Sequence, residues 1–479
     1  MTDLSFDRVL SDRLAAYESR LPDAAPPSTD AAIRQGGPRW PLIGVGALAA
    51  VAAVLAMIFL LGGPRENIGD ASPSPTASAG VTATAEPTPE VSEDPAPETT
   101  APSIAATPSP PNPTADLAWT ETAAFPTSGG ASAVTAVVRH TAGLVAIGVA
   151  YDEPLPILGP SPAHEGRVWL SPDGAEWEDV TPDGTFDNVA LRYLQVASDG
   201  SLIAHGWAES PGSQAIGAAV TFASADGRTW SEIDQPFGEG NWPNEMTQGS
   251  RGSAAIVVEP EGPLLSIWWS ADGRAWERVD ELGAQASFSL GAGDEGFAVV
   301  GTRTNDSGTE EPFALASGDG REWFEADAPP GAAVAVAPRG GDWLAVSRDP
   351  NVVLGQATEA QVWSSTNGLS WGPIGAYALG TSERSDVTCS ELPQWLFAAG
   401  RWLVSGTMLS FGCSEGGVET KGTQLISLDG VDWAALPFGA PAVEAGMGTR
   451  ITGALEVGGR LVLVGERDRV ATFWLGEQP

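Results

Sequence analysis

Short apolar runs recur along the last three quarters of the chain, most of them ending in glycine, and most are followed by a small polar turn closed by tryptophan. Leu144-Val145-Ala146-Ile147-Gly148 is the first, and related runs span Leu202 to Gly206, Ala254 to Val258, Phe297 to Gly301, Trp343 to Ser347, Trp402 to Gly406 and Leu461 to Gly465. Each reads as a β-strand. The polar turns have the form Ser-x-(Asp/Asn)-Gly-x-x-Trp and occur six times, from Ser171 to Trp177, Ser224 to Trp230, Ser270 to Trp276, Ser317 to Trp323, Ser365 to Trp371 and Ser427 to Trp433. Apolar residues alternate on either side, as Val168 and Leu170 do before the first turn and Trp177 and Val180 after it. An Asp-Gly pair in that setting predicts a hairpin, because its tight turn demands the positive φ that Gly and Asp tolerate.

The starting serines lie roughly 46 to 62 residues apart, about the length of one four-stranded propeller blade or slightly more. One repeat therefore predicts one blade. The aspartates Asp173, Asp226, Asp272, Asp319 and Asp429, with Asn367 in the fifth copy, serve the turns. Trp177, Trp230, Trp276, Trp323, Trp371 and Trp433 fold back between sheets, where burying an indole is worth about 4 to 6 kcal/mol as an upper bound. Ser224-Ala225-Asp226-Gly227-Arg228-Thr229-Trp230 resembles the Asp-box, or BNR, repeat of sialidase-type propellers, shortened by one residue between Asp and Gly. The resemblance implies a propeller with its boxes on the periphery, away from the sugar-binding centre, and it implies nothing about catalysis.

The apolar strand occurs seven times and the turn six, so the blades outnumber the turns. The last run, Leu461 to Gly465, is followed by Ala471-Thr472-Phe473-Trp474-Leu475 but by no fourth strand. Leu117-Ala118-Trp119-Thr120-Glu121-Thr122 reads like a strand that leaves a turn, and it would complete the blade begun near Thr449. The expected fold class is all-β: a seven-bladed β-propeller closed by its two ends, the alternative being six blades with an irregular extra hairpin.

The N-terminal quarter has a different pattern. Residues 1–39 place Phe6, Val9, Leu10, Leu14, Tyr17 and Leu21 mostly at three- and four-residue steps, predicting a short amphipathic helix that offers a cytoplasmic partner a docking face. Within residues 40–64, the run from Leu42 to Leu61 is uncharged and, at about 20 residues, long enough to cross a bilayer. Arg34 and Arg39 precede it and Arg65 alone follows before Arg139, so the positive-inside rule places the N-terminus in the cytoplasm and the propeller outside. Residues 65–116 are rich in Pro, Thr, Ser and Ala, too poor in large apolar side chains to fold, and read as a disordered stalk. The propeller occupies residues 117–479. The layout resembles that of bacterial transmembrane anti-sigma regulators, which leaves a sensor or regulator as one reading.

Charge and cysteine usage narrow the chemistry. A formal net charge of -37 with a pI near 4.2 argues against nucleic acid as a partner. No Asp-rich calcium loop is present, the three histidines His140, His164 and His205 lack a metal-binding spacing, and no cofactor motif appears. The two cysteines, Cys389 and Cys413, fall in the sixth blade on the extracytoplasmic side. Cys389 is placed in the connection entering that blade and Cys413 in its second-to-third-strand loop, on one face, which predicts a disulfide worth about 3 kcal/mol in the chain-entropy model.

Because every repeat turn joins the third and fourth strands of a blade, the opposite face carries the long loops, Tyr151 to Gly166, Ala208 to Gly217, Thr304 to Pro312, Asp349 to Ala360 and Met408 to Gly422. Tyr151, Trp207 and Trp242 belong to that face and are candidates for stacking on sugar rings or anchoring a protein. A sialidase-type glycoside hydrolase would need a tyrosine nucleophile with an acidic partner and an arginine cluster, drawn here from Tyr151, Tyr193 and Tyr377 and from Arg139, Arg192, Arg303 and Arg348. The chain lacks a Phe-Arg-Ile-Pro stretch near the start of the propeller. The expected function is a membrane-anchored binding or scaffolding module for protein or glycan, with the hydrolase as the alternative.

Overall fold

The computed structural model describes residues 117–478, apart from short segments at 128–129, 154–161, 210–216, 260–263, 285, 306–308, 349–358, 380, 385–386, 410–420 and 438–447. The predicted cytoplasmic helix, membrane span and stalk lie outside the described residues. So does Cys413, while Cys389 is described by its backbone alone.

Seven antiparallel sheets form a ring, one per blade. Their first, innermost strands are Ser132–His140, Val189–Val196, Trp242–Gly249, Ala286–Gly293, Ala332–Arg339, Val387–Ala399 and Thr449–Val457, in blades one to seven. Blade seven is completed by the first strand of the domain, Ala118–Phe125, which pairs with Val470–Glu477 from Ala118↔Glu477 to Phe125↔Ala471. The two ends of the domain thus close the ring, and no blade is left with a missing fourth strand. Blade six carries an extra strand, Thr381–Arg384, in a hairpin with the beginning of Val387–Ala399. Cys389, expected in the connection entering blade six, lies in that hairpin, opposite Ser382. The strand that enters blade six simply starts earlier than its apolar pattern shows.

The seven apolar runs are the second strands. Val145, Ala146 and Ile147, like Leu461 to Val464, are fully or almost fully buried, because a second strand is covered by a neighbouring blade on each side. Their closing glycines answer a second requirement. Six of the seven first strands carry a register shift, for instance between Leu191 and Tyr193 or between Ile451 and Gly453, which pushes a carbonyl toward the partner strand. A Cβ added at Gly465 would stand 1.9 Å from the Arg450 carbonyl oxygen, and one at Gly148 2.0 Å from that of Ala133. At these two positions only glycine fits, whereas in blades three and five Val257 and Ser347 take the equivalent place beside the bulge.

The repeat turns are closed by their own side chains. In each, the backbone N–H of the glycine donates to the serine Oγ, at 2.7 to 2.9 Å. Asp226 Oδ1 accepts from the N–H groups of Arg228 and Thr229 at 2.8 and 2.7 Å, and Asn367 Oδ1 accepts from Leu369 and Ser370 at 2.9 and 3.4 Å. The indole N–H groups of Trp177, Trp230, Trp323 and Trp433 donate to the glycine carbonyl of the same turn. In the third turn the Gly273 carbonyl is taken instead by Gln195 Nε2 at 2.9 Å, and the Trp276 indole N–H is buried without an acceptor. Several of these tryptophans lie against the preceding blade: Trp177 stacks on Phe473 at 4.1 Å between centroids, and Trp433 meets Tyr377 at 5.2 Å. Leu117 is buried among Trp402, Ile426 and Leu436 of blade six and Trp474 of blade seven, so the domain begins at the seam between those blades.

Candidate functional site: the channel and its mouth

The first hairpin of each blade shares a face with the repeat turns. His140 Nε2 lies 2.7 Å from the Gly200 carbonyl, Ser198 N–H donates to the Asp272 carbonyl at 3.1 Å, and Arg460 Nη2 donates to the Asp173 carbonyl at 3.1 Å. Every first strand therefore starts at the opposite face and runs through the ring toward the turns. Between the seven first strands lies a channel of about 780 Å³.

Around the channel, hydrogen bonds link one first strand to the next. Thr452 Oγ1 donates to the Val134 carbonyl at 2.6 Å and Thr135 Oγ1 to the Leu191 carbonyl at 2.9 Å. The Tyr193 hydroxyl donates to the Asn244 carbonyl, Leu290 N–H donates to Glu245 Oε2 at 2.6 Å, and Val336 N–H donates to Ser289 Oγ at 3.2 Å. Thr135, Asn244 and Thr452 are the extra residues of their bulges, which turn a side chain or carbonyl toward the neighbouring blade, whereas Ser289 lies in the first strand that has none. Glu245 is the one carboxylate among the described residues that line the channel. Burial pushes its carboxyl up to about 8, against the opposing effect of the Leu290 N–H. Burial, helped by the nearby Glu245 charge, raises the Tyr193 hydroxyl, and burial alone lowers His205, in blade two, to about 3.

At the end away from the turns the channel opens into a pocket of about 320 Å³ between blades six, seven, one and two. Tyr151, Arg192, Tyr193, Trp395, Phe397, Arg450 and Glu466 line it, over an apolar floor that includes Val134 and Ile451. Both arginines rest on aromatic faces: the Arg192 guanidinium lies 4.9 Å from the Trp207 ring centroid and that of Arg450 5.7 Å from Trp395. Neither makes an ion pair among the described residues, whereas Arg167, Arg228, Arg278, Arg303 and Arg321 each meet a carboxylate. Burial raises the Tyr151 hydroxyl, opposed by the Arg192 charge and reinforced by Glu209 and Glu466.

The three aromatic candidates all sit at this face, at the ends of their strands, and only part of the set converges. Tyr151 lines the mouth, and Trp207 reaches it through Arg192. Trp242, which pairs with Val258 at the start of the first strand of blade three, does not line it. The long loops fall largely outside the described residues. Of the residues weighed for hydrolase chemistry, Tyr193 does stand near Glu245, but each is already bonded across a blade seam. Arg303 is held by Glu311 and Glu325, and Arg139 donates to the Glu456 carbonyl at 2.5 Å near the turn face, so the arginines do not converge. Trp395 and Arg450 were not singled out by sequence. Their signal is an ionisable or aromatic residue of a first strand one or two positions from its bulge.

No protein-family model matches the chain, and no curated protein matches it. Among solved structures it is similar to one described as YCF48 bound to D1 peptide, with 12% identity over 75% of this chain and 94% of that one and a TM-score of 0.42. It is also similar to the β-propeller domain of the Trilobed protease from Pyrococcus furiosus, described as having an open velcro topology, with 10% identity over 73% and 95% of the two chains and a TM-score of 0.40. A third is an α-L-arabinanase from Penicillium chrysogenum complexed with arabinobiose, with 16% identity over 75% and 97% and a TM-score of 0.35.

Proposed function

We propose that this chain is a single-pass membrane protein that displays its propeller, with turns of the Asp-box type, outside the cell as a binding or scaffolding module for protein or glycan. Its ligand site in this reading is the mouth of the central channel. The observation that carries the proposal is the pair of guanidinium groups, Arg192 and Arg450, held over indole rings instead of being spent on carboxylates in a chain of net charge -37. Exposed cations on a rigid ring, with aromatic walls beside them, are suited to selecting a ligand. The point of attachment agrees with this arrangement. Ala118 lies opposite Glu477 at the turn face, so the chain enters on the side away from the mouth. The uncharged run from Leu42 to Leu61 supports the membrane anchor.

The hydrolase alternative rests on Tyr193 beside Glu245, and the belt occupies both groups. The test is incubation of the full chain, in detergent, with a panel of sialylated glycans, cell-wall glycans and peptides, reading retention and released sugar together. Retention abolished by Trp395→Ala and Arg192→Gln supports a binding module at the mouth. Released sugar sinks it and moves attention to Glu245.

A further inference from the structure

The geometry points to one class of occupant for the mouth: the free C-terminal residue of a peptide, its carboxylate held by Arg192 and Arg450 and its apolar side chain against the aromatic walls. This inference rests on the reading of the mouth as the ligand site. It follows from which polar groups there remain available. Ser132 Oγ donates to the Phe125 carbonyl and accepts from Ala471 N–H, Thr135 and Thr452 are committed to the belt, and the Tyr193 hydroxyl donates to Asn244. A sugar ring needs many such groups, because each hydroxyl buried without a partner costs free energy.

What the described residues leave free is two guanidinium groups and the Tyr151 phenol above apolar and aromatic surface. That set matches an anionic head on an apolar body. Guanidinium groups bind carboxylates through paired N–H donors, and capture of a terminal carboxylate is a recurring mode of peptide recognition. Glu466, across the strand pair from Arg450, and Glu209, whose charge acts on Tyr151, bring two carboxylates to the same place, so an anion is held there by the directed guanidinium donors and not by bulk charge. A volume of about 320 Å³, at the low end of small-ligand sites, is enough for one residue.

The full chain in detergent is titrated against fluorescein-labelled hexapeptides of Gly and Ser ending in Leu or Phe, each as the free acid and as the amide, with fluorescence anisotropy as the readout. The acids are expected to bind at least about ten-fold tighter than the amides, the loss expected for a charge-assisted contact. Arg192→Gln and Arg450→Gln should each weaken the acids by a similar factor, while Arg251→Gln, at the turn face, should change nothing. Both mouth arginines are exposed, so these variants keep the fold. Equal binding of acid and amide, or no binding of either, overturns the inference. Displacement by 4-phenylbutyrate as effective as by peptide assigns the pocket to a simple apolar acid and overturns the peptide terminus. A glycan retained through Arg192 where no peptide binds does the same, yet leaves the mouth standing as the ligand site.

Discussion

A half-buried carboxyl in the channel and a buried imidazole give this propeller opposite responses to pH. Glu245 ionises near 4.5 in an unfolded chain and near 8 in the folded one, so between those values the folded state holds a proton the unfolded state has released, and stability falls as pH rises. His205 does the reverse. Between 6.5 and about 3 the unfolded state takes up a proton that the folded state refuses, so stability falls as pH drops. Above pH 6.5 only Glu245 is left to act. Denaturant unfolding at pH 6.5 and 8 should show wild type losing stability, on the order of 1 to 2 kcal/mol, and Glu245→Gln losing almost none. Glutamine keeps an acceptor for Leu290 N–H, so the belt survives the change. The repeat turns offer a second comparison at this scale. Asn367 makes the same two contacts as the aspartates, and Asp226→Asn should therefore cost well under 1 kcal/mol by thermal unfolding. Asp226→Ala, which strands two backbone donors near the surface, should cost about 1 to 2 kcal/mol.

In blade seven the bulge of the first strand packs tightly against the second-strand glycine. Gly465→Ala drives a Cβ into the Arg450 carbonyl, and the strand must either flatten its bulge or move outward. The expected result is a loss of about 2 kcal/mol or more in unfolding measurements, together with weakened binding at the mouth, because Arg450 sits on the displaced residue. Between blades the turns are joined in two ways. Arg228 and Arg321 each reach an acid on the outer strand of the preceding blade, Glu178 and Glu277. At the next seam the equivalent positions hold Leu369 and Phe324, which are 39% and 56% exposed. Exposed ion pairs contribute about 0 to 1 kcal/mol, so the ring tolerates either arrangement and owes its cohesion to the tryptophans and second strands.

For the molecule as a whole, the number of blades and the closure were legible in the sequence. The signal was local and repeated: seven apolar runs, six turns, and one orphan strand at Leu117 whose pattern matched the strand missing after Leu475. The mouth was legible only in part, through Tyr151 and Arg192 taken singly. Tyr151, Arg192, Trp395 and Arg450 lie far apart along the chain and meet only because the ring brings blades six, seven, one and two together, a relation no periodicity records. Likewise Glu245 carries no motif, and its burial comes from the neighbouring blade. Closure itself is testable. Deleting residues 117–125 leaves Val470–Glu477 as an unpaired edge and exposes Trp474, so the truncated chain should melt at a lower temperature and elute as dimers or aggregates in size-exclusion chromatography.

The closing strand also decides how the molecule bears a load. The chain enters at Ala118, and a ligand held at the mouth would pull from the far end of the ring, so tension runs along the strand and not across it. All seven register pairs from Ala118↔Glu477 to Phe125↔Ala471 then resist together in shear, instead of parting one after another like a zip. On the proposed anchoring, the propeller would be a mechanical clamp, firm under steady pull until the whole strand slips at once.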